Sequence, residues 1–302
     1  MTNLEPIIRL ENVNAGYGQT VILEDVNLDI YKGQITALLG GSGSGKSTML
    51  KTIIGLLPPI SGRVTLLGED IYQMSDDDRR ALMRRTGMLF QYGALFGSKS
   101  IYENISLPLR EHTNLREEVM REMVRMKLAL VGLDGLQDRM PTDVSGGQAK
   151  RVALARATIM DPEIIFCDEP SAGLDPIVAA GLDQVLRRFQ SLFGMSMVVI
   201  THELESIKIL ADRVVMLANN EIQAVGTVEE LSHSDIEDVH NFFKRVPPDY
   251  VGDTSHSVYD RLGHGPQDSE LGQQMREEWL ELDELEQQAE ASSTSSPKVM
   301  SK

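Results

Sequence analysis

The stretch Gly40-Gly41-Ser42-Gly43-Ser44-Gly45-Lys46-Ser47-Thr48 satisfies G-x-x-x-x-G-K-[ST] at every fixed position. Glycine and serine alone would also suit a flexible linker, so the flanks decide. Gln34 to Leu39 is a short apolar, β-rich run, and Thr48 to Ile54 reads as the first turns of a helix. A strand, a glycine loop and a helix in that order make a phosphate cradle. The glycines let successive backbone N–H groups turn inward around a phosphate chain, and the helix N-terminus adds partial positive charge. Lys46 is then placed to reach the β- and γ-phosphates, and the Ser47 hydroxyl to take a position on Mg²⁺.

The rest of the chain supplies strands for such a loop to belong to. Residues 7–32 alternate as three short strands, Ile8 to Val13, Val21 to Leu23 and Val26 to Ile30, with Gly16-Tyr17-Gly18 as a turn. They predict a small antiparallel sheet ahead of the loop. Tyr17 is either an aromatic lid on that sheet or a face for an adenine ring. Arg63 to Gly68 is a further strand, and Ser75 with Asp76, Asp77 and Asp78 caps a helix whose Arg79, Arg80, Arg84 and Arg85 read as a solvated basic face.

Three later apolar strands end in chemically active residues. Thr86 to Phe90 runs into Gln91, Glu163 to Asp168 ends in Asp168 and Glu169, and Ser196 to Thr201 leads to His202. Between them, Tyr92 to Thr113 has no clear periodicity, while 115–131 is helical with Leu115, Val119, Met123, Met126 or Lys127 and Leu130 on one face. A helix opens at Gln148 after Val144-Ser145-Gly146-Gly147, and another runs from Pro176 to Phe193. Strands alternating with helices predict an α/β fold with a mainly parallel core sheet and its ligand outside the carboxyl ends of the strands. Gln91, Asp168, Glu169 and His202 all fall at such ends. Asp168 suits Mg²⁺, and Glu169 is placed to polarise a water for in-line attack on a γ-phosphate.

Composition bounds the partners. The chain of 302 residues carries net charge −16, which excludes a nucleic-acid surface. Its single cysteine, Cys167, leaves no disulfide framework. Met1 precedes polar residues, so no signal peptide is expected, and no window approaches the ~18 apolar residues of a membrane span. From Val246 onward twelve acidic residues face four basic ones, marking residues 246–302 as an acidic extension. Within it Leu271, Met275, Trp279, Leu282 and Leu285 predict an amphipathic helix at about 269–288, with a Ser-rich, disordered end.

Taken together these motifs resemble the ATP-binding-cassette (ABC) ATPase family, over residues 7 to about 245. The resemblance assigns Tyr17 to adenine stacking, Gly40 to Thr48 to Walker A, Gln91 to the Q-loop, Ser145-Gly146-Gly147-Gln148 to the signature, Ile164 to Glu169 to Walker B, Ser171 to Asp175 to the D-loop, and His202 to the switch histidine. Val144 and Cys167 depart mildly from the family's usual leucine and aliphatic residue. The resemblance implies a P-loop NTPase fold with an N-terminal antiparallel β-subdomain and an inserted helical subdomain at about 92–160. It implies catalytic roles for Glu169, His202 and Gln91, Mg²⁺ at Ser47, Gln91 and Asp168, and ATP against Tyr17, the phosphate loop, Ser145 to Gln148 and Asp175. It also implies a dimer, in which each signature meets the γ-phosphate bound by the other subunit. Such a cassette lies on the cytoplasmic face of the inner membrane, held by integral-membrane permease subunits.

The segment Gly87 to Ser98, with Glu103-Asn104 and Leu107 to Thr113, is similar to the ATPases of Mla-type transporters. These work with MCE-domain proteins in lipid traffic across Gram-negative envelopes, so phospholipid transport is expected, with an MCE-type partner and a small regulatory subunit as further partners. Phe90 and the Ala94 to Phe96 run would contact a coupling helix, or else pack within the lobe. An importer ATPase for amino acids or another polar solute is the rival reading. DNA-maintenance ABC ATPases carry long coiled coils that this chain lacks, and translation factors of the family carry two cassettes. A binding-only cassette is excluded, since Glu169 and His202 are both present.

Overall fold

A computed structural model of the chain describes residues 5–41 and 43–244. Ser42, the extension from 246 and its anticipated helix lie outside the described residues.

Twelve-residue strands β1 (Pro6–Tyr17) and β2 (Thr20–Tyr31) form an antiparallel ribbon. With β4 (Ser61–Leu66) and β5 (Glu69–Asp70) they make a four-stranded sheet in the order β2-β1-β4-β5. The antiparallel expectation holds, but the three short strands are two long ones. Register shifts between Leu10 and Val13 and between Val13 and Ala15 break the alternation, as bulges do. Tyr17 accordingly ends β1 instead of sitting inside the turn.

The second sheet has the order β10-β9-β3-β8-β7-β6. It comprises β3 (Ile35–Leu39), β6 (Thr86–Leu89), β7 (Ile164–Asp168), β8 (Ser196–Ile200), β9 (Arg213–Ala218) and β10 (Glu221–Gly226). The run β9-β3-β8-β7-β6 is parallel throughout, and β10 pairs antiparallel with β9. Every residue of β3 and β8 is buried, as a parallel sheet covered on both faces requires. On β7, Ile164 and Phe166 share a core with Met49 and Ile53 of α1 (Lys46–Ile53). The alternate residues Ile165 and Cys167 pack with Val152 and Leu154 of α5 (Gly146–Ala157) and with Leu182 and Phe189 of α6 (Pro176–Phe193). That is the strand's two-residue period dividing one core from another.

Helix α2 (Asp76–Met83) is capped by Ser75 as expected, and its Arg79 and Arg80 pair with Asp76 and Asp77 on the exposed surface. The region without clear periodicity holds α3 (Ile101–His112), nucleated by a capping box of Ser100 and Glu103. Helix α4 (Glu117–Leu130) follows, and the expected stripe fits it in part, with Met123 and Leu130 packed against the core. Its buried residues are Met120, Val124, Lys127 and Leu128, whereas Leu115, Val119 and Met126 are exposed. Lys127 occupies an apolar phase because its ammonium reaches Asp161, 2.6 Å away. Three short helices, α7 (Leu204–Leu210), α8 (Val228–Ser232) and α9 (Glu237–Lys244), complete the described residues. None of the described helices is long and apolar enough to cross a membrane.

Candidate functional site

The phosphate loop leaves the carboxyl end of β3 and enters α1. At Gly40, φ is +148° and a Cβ would lie 2.2 Å from the Leu217 carbonyl oxygen, so only glycine passes beneath β9 here. Gly45 is the N-cap of α1 and supplies no side-chain acceptor, and the first turn holds no acid. The orphan N–H groups of that turn therefore suit an anion. Lys46 Nζ donates to the carbonyls of Gly40 and Gly41, each at 2.8 Å, and lies 3.4 Å from Ser44 Oγ. Burial lowers the Lys46 pKa, with the charges of Glu169 and Asp168 opposing. The Ser47 side chain is exposed, while Thr48, also expected to face a ligand, is buried.

Strand β7 delivers Asp168 and Glu169 beside this lysine. Burial raises the Asp168 pKa, and Lys46, Lys51 and Lys150 pull it down. Its carboxylate takes no hydrogen bond from any described residue. A half-buried carboxylate without a hydrogen-bond partner among the described residues, and the exposed Ser47 hydroxyl of the loop, are the hard-oxygen donors that Mg²⁺ takes alongside phosphate. No cluster of three or more His, Cys, Asp or Glu capable of holding a metal occurs among the described residues.

Glu169 sits at φ +48°, in the left-handed region, where a non-glycine residue is strained. Its Oε1 lies 2.8 Å from His202 Nδ1, and its Oε2 is buried without a hydrogen-bond partner among the described residues. Gln91, half-buried beyond β6, is joined to the same group through its backbone. The Lys150 ammonium takes the Gln91 carbonyl and lies 3.4 Å from the Glu169 carbonyl. Lys150 escapes a motif reading. Its only signal is its phase, three, four and seven residues before Ala153, Leu154 and Ala157.

The Ser145 turn forms the N-terminus of α5. Ser145 Oγ accepts from the Gln148 amide, and Gln148 Oε1 accepts from the Ser145 amide, closing a capping box. Gly146 is exposed and Gly147 buried, and a Cβ at Gly147 would meet Val178 Cγ1 at 2.4 Å. Among the described residues no hydrogen bond or ion pair joins this turn directly to the phosphate loop. Asp175, expected to face nucleotide, caps α6 by accepting from the amides of Ile177 and Val178. Tyr17 is 48% exposed and its hydroxyl accepts from Lys51 Nζ of α1 at 3.1 Å. The ring is thus held beside the helix that starts in the phosphate loop, with Lys51 Nζ over it at 5.6 Å from the centroid.

A separate groove of about 800 Å³ is lined by Leu56, Arg79, Phe90, Phe96, Leu107 and His112, among others. Leu56, Phe90 and Phe96 are exposed large hydrophobics, while Leu95 packs against the core. Core packing therefore accounts for Leu95 and leaves the flanking Phe90 and Phe96 exposed among the described residues.

Comparison with known proteins gives a consistent result. The family model described as ABC transporter matches residues 23–172. The chain is 40% identical over 238 residues to the intermembrane phospholipid transport system ATP-binding protein MlaF of Haemophilus influenzae, covering 79% of this chain and 90% of that protein. It is also 40% identical over 243 residues to the probable ribonucleotide transport ATP-binding protein mkl of Mycobacterium leprae, covering 80% of this chain and 70% of that protein. Among solved structures, cbiO1 from Clostridium perfringens, part of the ABC transporter complex cbiONQ, aligns with TM-score 0.71 and 31% identity over 75% of this chain and 90% of its own. The ATP-binding cassette MJ0796, a dimer in a post-hydrolysis state with ADP and Pi, aligns with TM-score 0.66 and 30% identity over 73% and 98%.

Proposed function

Because this chain belongs to the ABC transporter family, as one of its ATP-hydrolysing, ATP-binding subunits, we propose that it powers phospholipid traffic across the bacterial envelope. The cassette is assigned to residues 7–245, with the helical subdomain at about 92–160 and the acidic extension from 246. It would work as a homodimer bound to integral-membrane permeases at the cytoplasmic face of the inner membrane. An MCE-type partner and a small regulatory subunit would complete the complex.

The observation that carries the chemistry is the Glu169 carboxylate, with one oxygen on His202 and the other without a hydrogen-bond partner among the described residues. A water held by this carboxylate would be oriented and polarised for in-line attack, its proton passing to the carboxylate as the new O–P bond forms and the bond from the γ-phosphorus to the departing ADP oxygen breaks. Lys46 and the amides of the α1 N-terminus would hold the β- and γ-phosphates, and Tyr17 would stack on adenine. Ser47, Asp168 and Gln91 would hold Mg²⁺, which when bound neutralises charge on the phosphates. His202, hydrogen-bonded to Glu169, would sense the γ-phosphate. Ser145, Gly146, Gly147 and Gln148 would meet the nucleotide of the partner subunit, which accords with their lack of contact to this chain's own loop. Asp175 would act there through its cap on α6.

Cargo is weighed on different grounds. Relatives of equal identity are described as phospholipid and as ribonucleotide transport proteins, so identity does not separate the two. Lipid transport is favoured by the segment from Gly87 to Thr113, whose Phe90, Phe96 and Leu107 line the groove where a permease helix would dock. The test is isolation of the native complex from membranes, followed by mass spectrometry of its subunits and extractable cargo. Glycerophospholipid with an MCE-domain subunit is the expected result. A ribonucleotide or amino acid in its place would overturn the lipid reading and leave the ATPase intact.

A further inference from the structure

Lys150 has no part in the mechanism just described, yet its placement is costly. It is 7% exposed and forms no ion pair among the described residues. Its ammonium is satisfied instead by the carbonyl of Gln91 and, at 3.4 Å, by that of Glu169. The charges of Glu169 and Asp168 favour the ammonium but no carboxylate contacts it among the described residues, and burial still works against the charge. A methionine of similar length would fill the space at lower cost. The two carbonyls also follow adjacent strands, β6 and β7, and one belongs to a residue in a strained conformation. The Glu169 peptide is pinned from two sides, by Lys150 at its carbonyl and by the Ile200 carbonyl, which accepts from its amide at 2.9 Å. Relaxation of φ at Glu169 would swing its carboxylate away from His202.

Lys150 lies on the same helix as the Ser145 turn, five residues on, or about 7.5 Å along a rigid rod. We propose that Lys150 is a positioning residue that ties the Ser145–Gln148 turn of a subunit to that subunit's own Gln91 and Glu169. The inference rests on the function proposed above. When the turn engages the partner's nucleotide, any shift of α5 passes through the ammonium to both strand-end peptides. Movement of the turn on the partner's nucleotide is thereby felt at the subunit's own carboxylate, which makes turnover at the two sites cooperative.

The test compares full-length wild type with Lys150→Met and Lys150→Gln, and uses Glu169→Gln as reference. Read-outs are binding of a fluorescent ATP analogue, steady-state ATPase and thermal melting. Lys150→Met is expected to bind nucleotide within about twofold of wild type and to lose at least about tenfold in kcat, with its Hill coefficient falling toward one. Lys150→Gln keeps an N–H donor for the carbonyls and should recover most of the rate. Wild-type kcat and Hill coefficient in Lys150→Met, with Glu169→Gln inactive, would overturn this proposal alone. Loss of rate that Gln does not recover would also overturn it, by showing a packing role only. Should Lys150→Met not fold, Lys150→Ala takes its place with the same outcomes. Normal turnover in Glu169→Gln would instead overturn the function on which the inference rests.

Discussion

His202 Nδ1 lies 2.8 Å from Glu169 Oε1, and the second oxygen of that carboxylate is buried without a hydrogen-bond partner among the described residues. The contact with His202 fixes the carboxylate's rotation. Glu169→Gln keeps the shape but removes the base. It should lower kcat by about 10²- to 10⁴-fold, the usual weight of a general base, while nucleotide affinity stays within a few-fold. His202→Ala should also lower kcat, but by less, because Glu169 remains. Phosphate release by the purified chain measures both, and wild-type turnover in Glu169→Gln would remove it from the role of base.

Lys46 is held by the Gly40 and Gly41 carbonyls at 2.8 Å, with its ammonium directed across the mouth of the loop. Lys46→Ala removes the only cation that contacts the loop's own backbone among the described residues. The loss in kcat/KM should be at least about 10²-fold, in line with removal of a charged group that stabilises a transferring phosphoryl. Melting should change little, since half-exposed lysines contribute little to folding. Isothermal titration with ATP and a melting curve separate the two effects.

The strand ends were legible because each functional residue follows a short apolar run bounded by punctuation, and burial of both sheet faces makes such runs continuous. Gln91, Asp168, Glu169 and His202 could be grouped on that basis alone. The lobe was harder. Pro108 lies inside α3 and glycines precede it, so local composition hid a helix whose real signal was the Ser100–Glu103 box. In α4, methionines and valines occur on several faces, and the paired Lys127 sits in the buried phase. Of the expected face, Met123 and Leu130 pack against the core and Lys127, the alternative to Met126, is buried, whereas Leu115, Val119 and Met126 are exposed. Lys150 was missed because its partners are backbone carbonyls, which no sequence pattern records.

Gly147 packs where a Cβ would meet Val178 Cγ1 at 2.4 Å, so the Ser145 turn and the start of α6 are in direct contact. Gly147→Ala should cost about 1–3 kcal/mol through overpacking and should displace the turn, lowering kcat more than ATP affinity. Val178→Ala removes the clashing methyl. The double variant should therefore regain much of the lost stability, a non-additivity measurable by denaturant melts of the four proteins in the cycle.

The extension from Val246 carries twelve acidic residues against four basic, with an apolar set from Leu271 to Leu285. That stripe is worth a few kcal/mol if buried on a protein surface, at ~25 cal/mol per Å². Its acidic neighbours disfavour anionic membranes. Truncation at Val246 should leave ATP binding unchanged and weaken dimerisation or complex assembly. Light scattering of the truncated chain, with and without ATP, reads this directly; unchanged oligomer mass and transport would discard a docking role.

Asp183 of α6 is 1% exposed, and its Oδ1 has no hydrogen-bond partner among the described residues. Burial raises its pKa from 3.8 to about 6, against a lowering contribution from Ser206. The folded state therefore binds more protons than the unfolded state between those values, and ∂ΔG/∂pH is negative there. Ionisation of Asp183 costs nothing below the unfolded value and its full amount above the folded one. The chain should lose stability as pH rises through this window, by on the order of 1–3 kcal/mol from this residue. Asp183→Asn carries no charge to desolvate. Its melting temperature relative to wild type should thus increase from pH 4 to pH 7. A difference that stayed flat across that range would show that Asp183 does not titrate there.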